Sequence, residues 1–121
     1  MTQKILIVED NANNRYLMEF ILHGAGISTC IAENGKQAVE MSRTELPDLI
    51  LMDIQMPEMD GFEATRLIRA DHATKHIPII GVSSFASAES RKTALASGMM
   101  DYITKPILPS DFLPLIRTYL A

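Results

Sequence analysis

The sequence has one cysteine, no apolar run approaching the ~20 residues of a membrane span, no surplus of basic charge and no low-complexity tract. Each absence removes a class of protein. A lone thiol, Cys30 within the stretch STCIA, permits no intrachain disulfide and reads as a small core side chain in a reducing cytoplasm. The opening MTQKILIVED has too short an apolar run for a secretory signal and ends in two acids. Lysine and arginine number 11 against 15 aspartates and glutamates, interspersed, for a net charge of −4. That balance offers neither a nucleic-acid face nor an anionic-membrane surface. The 121 residues, 47% of them hydrophobic, suffice for one core but not two, so a cytosolic single domain over 1–121 is expected.

What is present is an alternation of two patterns. Short apolar runs stand at KILIV (4–8), STCIA (28–32), LILMD (49–53), PIIGV (78–82) and DYIT (101–104). Between them, apolar residues recur at helical spacing. The first such segment carries Tyr16, Leu17, Phe20, Ile21 and Ala25 and closes at Gly26; the second carries Ala38, Val39 and Met41 after Gly35. The third holds Phe62, Thr65, Leu67 and Ile68, and the fourth Ala88, Arg91, Ala94 and Leu95 before Gly98. The last, 109–120, has Leu113, Ile116 and Leu120 as its inner stripe. Five βα units predict a parallel sheet with helices on both faces, because parallel strands need crossovers. A five-stranded α/β fold with the flavodoxin-like order 2-1-3-4-5 follows, with the weaker run at 28–32 on an edge.

In such sheets ligands bind beyond the carboxyl ends of the strands. There the first run ends in Glu9 and Asp10, the third in Asp53, the fourth in Ser83 and the fifth in Lys105 followed by Pro106. Three carboxylates at ~4 Å repel by roughly 4 kcal/mol per pair at an effective dielectric of 20. A divalent cation or protonation relieves that repulsion, and an all-oxygen set points to Mg²⁺, with Mn²⁺ able to substitute, rather than Zn²⁺. The Lys105 ammonium and the Ser83 hydroxyl suit an anionic, oxygen-rich group such as a phosphoryl. Asp53 would be the nucleophile that takes it as an acyl phosphate.

Four stretches, ILIVEDNxxN, PDLILMDIQMPEMDGFE, IPIIGVSSFA and GMMDYITKPI, closely resemble the receiver domains of two-component response regulators over essentially the whole chain. The resemblance implies that Asp53 is the phosphoacceptor and Asp10 a direct metal ligand, with Glu9 acting through water and Gln55 through its backbone carbonyl. It implies that Ser83 is the switch hydroxyl, Lys105 the lysine that contacts the phosphoryl group and Tyr102 the switch aromatic. Pro106 would follow a cis peptide, and Gly61 would relieve the backbone at the end of the active-site loop. Gln55 and Phe85 match positions that set the lifetime of the acyl phosphate. The implied donor is a histidine kinase or histidine phosphotransfer protein. The implied output is a change in the face made by the fourth helix, fifth strand and fifth helix, read by a protein partner. The domain would catalyse only its own phosphorylation and dephosphorylation, as a monomer or a weak phosphorylation-linked dimer.

No DNA-binding or catalytic module accompanies these motifs, so a stand-alone regulator of the cell-cycle type is expected; the alternative is the excised receiver of a hybrid kinase acting in a phosphorelay. Other classes fit less well. A haloacid-dehalogenase-type phosphohydrolase wants an aspartate where Gln55 stands, and a flavodoxin wants a hydroxyl- and glycine-rich loop where EDNANN stands. An unphosphorylated scaffold would not need the full set of site residues. His23, His72 and His76 read as solvated surface groups and the eight methionines mostly as core filler. Met100 and Pro114 fall near the output face, Met100 as an apolar patch residue and Pro114 as a missing N–H near the start of the last helix.

Overall fold

A computed structural model describes residues 3–56, 59–84 and 87–120. The elements run β1 (Lys4–Val8), α1 (Ala12–Gly24), β2 (Ser28–Ala32), α2 (Gly35–Glu45), β3 (Leu49–Asp53), α3 (Gly61–Ala70), β4 (Ile79–Ser83), α4 (Ala88–Ser97), β5 (Asp101–Thr104) and α5 (Pro109–Leu120). The strands form one parallel sheet in the order β2-β1-β3-β4-β5, with the weak second strand on an edge as the sequence predicts. The fourth strand lies one residue later than expected, at 79–83, which makes Ser83 its last residue.

The central strands bury both faces. Ile5, Ile7, Leu49, Leu51, Ile80 and Val82 pack with Met18, Ile21 and Leu22 of α1 and Phe112 and Ile116 of α5. Leu6, Val8, Ile50, Met52 and Ile79 turn the other way, toward Ala38 of α2, Ala64 and Ile68 of α3 and Ala94 of α4. The period of two along each strand produces this division. Each fully buried aliphatic side chain contributes roughly 1.5–3 kcal/mol relative to exposure.

Several expected helix stripes are corrected. In α1 the sheet-facing set is Met18, Ile21 and Leu22, whereas Tyr16 and Phe20 are 71% and 68% exposed. This helix carries more apolar residues than one face can bury, and the sheet takes the 18–21–22 stripe at i, i+3, i+4. For the same reason Leu67 of α3 and Leu95 of α4 point outward, Ala88 and Arg91 are exposed, and α4 buries Ala94 with Ser97 instead. In α5 the fully buried pair is Phe112 and Ile116, with Leu113 and Leu120 half-buried beside them.

Helix starts are capped where strand-to-helix loops must turn sharply. Asn11, Asn34, Asp60 and Ser87 accept hydrogen bonds from Asn14, Gln37, Glu63 and Ser90 backbone N–H groups. Such caps contribute about 1 kcal/mol each. At the end of α1, the Gly26 N–H bonds to His23 and the Ile27 N–H to Leu22. Gly26 holds a φ of +80°, a left-handed conformation that side chains with a Cβ resist, so it closes the helix as predicted. Pro114 lies deeper in the last helix than expected, as its sixth residue, and α5 continues through it.

Candidate functional site

The parallel register carries every strand end to one edge. Val8 pairs with Met52, Asp53 with Val82 and Ser83 with Thr104, so Glu9, Asp53, Ser83 and Lys105 arrive side by side. Backbone bonds fix the junctions: Glu9 N–H to Ala32 O at 3.1 Å, Ile54 N–H to Val82 O at 3.1 Å and Lys105 N–H to Ser83 O at 2.7 Å. The Lys105–Pro106 peptide is cis.

The charged groups converge. Lys105 Nζ lies 3.1 Å from Glu9 Oε2 and 3.6 Å from Asp53 Oδ1. Glu9 and Asp53 are almost wholly buried, at 1% and 2% exposure, whereas Asp10 is exposed at the rim. One carboxylate oxygen from each of the three acids falls within 4.8 Å of the others. The Gln55 backbone N–H donates to Asp53 Oδ1 at 3.1 Å. Burial and then the Glu9 carboxyl beside it push the Asp53 pKa up to about 7, against the opposing pull of Lys105 and of the Gln55 N–H.

The Lys105 ammonium pairs with two of the three clustered acids, which leaves an acid-rich pocket whose candidate ligands are all oxygens. Glu9 Oε2, although ion-paired with Lys105, accepts no aligned hydrogen bond from the described residues. A buried carboxylate oxygen with spare acceptor capacity next to two further carboxylates fits a hard divalent cation such as Mg²⁺. Glu9, Asp10 and Asp53 are the side chains that would hold it.

The remaining predicted positions surround this cluster. Ser83 is fully buried at the end of β4. Gln55 is exposed, and its side-chain Oε1 accepts from the Ser84 N–H at 3.4 Å, linking the loops after β3 and β4. Phe85 lies outside the described residues. Tyr102 is 4% exposed, more deeply placed than an ordinary half-buried strand tyrosine, and belongs to the core between the sheet and α2, α3 and α4. The three histidines are exposed; His23 Nε2 lies 2.8 Å from Thr29 Oγ1, a hydroxyl contact rather than a ligand cluster.

The contribution of Arg15 was not singled out in the sequence, and that of Gly61 was expected without its cause. Arg15 donates from Nη1 to the Glu9 carbonyl at 2.9 Å, so α1 holds the acidic loop from behind. Its signal was its place one turn after the Asn11 cap, on the end of α1 nearest the acids. Gly61 does its work by close approach rather than by special torsion angles. A Cβ there would sit 2.4 Å from the Asp53 carbonyl oxygen and 2.9 Å from Ile54 Cα. Its N–H meanwhile donates to Ile54 O at 3.1 Å.

Five parallel strands in this order, with buried carboxylates facing a lysine at their carboxyl ends, define a receiver-type α/β protein. Residues 5–117 match the response regulator receiver domain family, and the chain belongs to it. It is 38% identical over all its 121 residues to the polar-differentiation response regulator DivK of Brucella ovis, covering 98% of that protein. Among solved structures it is similar to the receiver domain of sensor histidine kinase PA1611 from Pseudomonas aeruginosa PAO1, with a TM-score of 0.92 and 34% identity. That match covers 99% of this chain and 98% of the other, whose structure has a magnesium ion coordinated in the active-site cleft. Chemotaxis protein CheY4 of Vibrio cholerae superposes with a TM-score of 0.93 at 27% identity, over 98% of this chain and 99% of that one. Among the described residues no helix is long and apolar enough to cross a membrane.

Proposed function

We propose that this receiver accepts a phosphoryl group on Asp53 from a histidine kinase or histidine phosphotransfer protein, and that it removes the group itself by hydrolysis. The observation that carries this reading is the buried Asp53 carboxylate held between Lys105 at 3.6 Å and two further acids within 4.8 Å. In the transfer, an Asp53 oxygen attacks phosphorus, the bond to the donor nitrogen breaks, and an acyl phosphate results. Asp53 must be ionised to attack. Lys105 and the Gln55 N–H favour that form, while burial and Glu9 oppose it. A Mg²⁺ or Mn²⁺ ion held by Glu9, Asp10 and Asp53, with the Gln55 carbonyl, would supply charge neutralisation at the transferring oxygens. Lys105 supplies a second, fixed positive charge on the same side.

The Ser83 hydroxyl then approaches the new phosphoryl oxygens, and Tyr102 follows it, biasing the α4-β5-α5 face toward a protein partner. By the family resemblance, the residues at positions 55 and 85 tune how fast water hydrolyses the acyl phosphate. A bulky, apolar Phe85 lengthens its lifetime, so Phe85→Glu shortens it; equal or slower loss of phosphate in that variant contradicts the role. The 38% identity to DivK along the whole chain supports a DivK-like regulator as the first reading, and we take its form to be a monomer or weak phosphorylation-linked dimer. The likeness to the PA1611 receiver keeps a relay role as the second reading. Onward transfer from the phosphorylated protein to a histidine phosphotransfer domain selects the relay.

Intact mass after incubation with acetyl phosphate tests the chemistry. A gain of one phosphoryl group should appear in the wild type with Mg²⁺, and neither in Asp53→Asn nor with EDTA. An equal gain in Asp53→Asn overturns the assignment.

A further inference from the structure

The first residue of β5 makes contacts that the phosphoryl chemistry does not use. Asp101 Oδ2 accepts the Tyr119 hydroxyl from α5 at 3.0 Å, and its Oδ1 accepts the Tyr102 N–H at 2.8 Å. On the other side, Arg91 Nη1 of α4 lies 3.6 Å from Asp101 Oδ1. The same guanidinium stands over the Tyr102 ring, 5.5 Å from its centroid. The Tyr119 hydroxyl also reaches the Met100 carbonyl at 3.3 Å. Asp101 is half-buried and next in sequence to Tyr102; alternation along the strand sends its side chain outward and the tyrosine ring inward.

We propose that Asp101 is a positioning residue for the switch, a latch whose carboxylate ties α4, β5 and α5 together in the arrangement that keeps the Tyr102 ring inward. This rests on the receiver reading of Asp53 and Tyr102. Arg91 of α4 touches both the Asp101 carboxylate and the Tyr102 ring, so a shift of α4 that carries it away loosens both, and helix position and ring position are linked through one guanidinium. Tyr119 extends the link to α5 and places it beside exposed Met100. Burial, followed by the hydrogen bond to Asp101 and its charge, raises the Tyr119 pKa, as expected of a phenol held on a carboxylate. With the latch closed, the inward arrangement is favoured before any phosphoryl group arrives, and phosphorylation has less rearrangement to drive.

The test uses the full chain with Asp101→Ala, Asp101→Asn and Tyr119→Phe. Asn keeps one acceptor oxygen, enough for Tyr119 or for the Tyr102 N–H but not for both, and loses the charge that faces Arg91. Two readouts are taken: the apparent affinity for beryllofluoride with Mg²⁺, a phosphoryl analogue, and the NMR signals of ring-labelled tyrosine. Asp101→Ala should weaken beryllofluoride binding about five-fold and move the Tyr102 ring signal toward that of an exposed tyrosine, with Asp101→Asn and Tyr119→Phe in between. A folded Asp101→Ala protein with an unmoved Tyr102 signal, or with unchanged or tighter beryllofluoride binding, overturns the latch. If Asp101→Ala does not fold, Tyr119→Phe, which deletes one hydroxyl, decides by the same readouts. Failure of the wild type itself to bind beryllofluoride would sink the phosphorylation reading, while the ring signal would still judge the latch.

Discussion

Asp53 is pulled two ways, since nucleophilic attack needs its anion and its surroundings favour the neutral acid. Burial and Glu9 raise its pKa to about 7 from the 3.9 or so of an unfolded aspartate. The folded protein therefore binds more protons than the unfolded chain between about pH 4 and 7, and stability without a divalent ion falls as pH rises through that window. The fall is on the order of a few kcal/mol, and chemical denaturation at a series of pH values with EDTA present measures it. Asp53→Asn removes the charge and should flatten that profile. At neutral pH it should stabilise the metal-free protein by about 1 kcal/mol, the reverse of what most buried polar substitutions do. Gly61→Ala pushes a methyl group against the Asp53 carbonyl. It should lower stability by roughly 1–3 kcal/mol and slow acetyl phosphate phosphorylation, because the only relief is to move the acceptor's own backbone. The need for glycine at 61 was visible in the sequence, but its cause was not: the close approach arises only when α3 packs against the end of β3.

At the scale of elements, strands were more legible than helix faces. LILM and ILIV are apolar without interruption, and only a strand buried on both sides asks for that. Helices such as α1 carry apolar residues around much of their circumference, so spacing alone cannot say whether Phe20 or Leu22 meets the sheet. The packed sheet decides, and it takes Leu22. Pro114 shows a local rule overridden by tertiary packing. It is the sixth residue of α5, is exposed, and denies the Ser110 carbonyl its i+4 partner, while buried Phe112 and Ile116 on either side anchor the helix. Pro114→Ala should therefore stabilise the protein by about 1 kcal/mol or more, read as a rise in thermal midpoint with the phosphorylation rate unchanged.

Over the whole molecule, strand order and the site were legible for the same reason. Parallel topology sends every strand's carboxyl end to one edge, so residues far apart in sequence meet without any local signal between them. What the sequence could not convey was depth: Glu9 and Asp53 are almost wholly buried, and Lys105 alone pairs with them among the described ion pairs. An excess of acids over cations around this buried pair makes ion binding a contribution to overall stability. At a hundred times its dissociation constant, Mg²⁺ should add about 2.7 kcal/mol, or roughly 10 °C in thermal midpoint, and the gain should disappear in Asp10→Asn.

The most direct measurement is chemical trapping. Borohydride reduces an aspartyl phosphate to homoserine, and peptide mass mapping after treatment with acetyl phosphate then places the modified residue. Homoserine at position 53 is predicted, and only when Mg²⁺ was present. Homoserine at Asp10, or none anywhere despite a divalent ion, would contradict it.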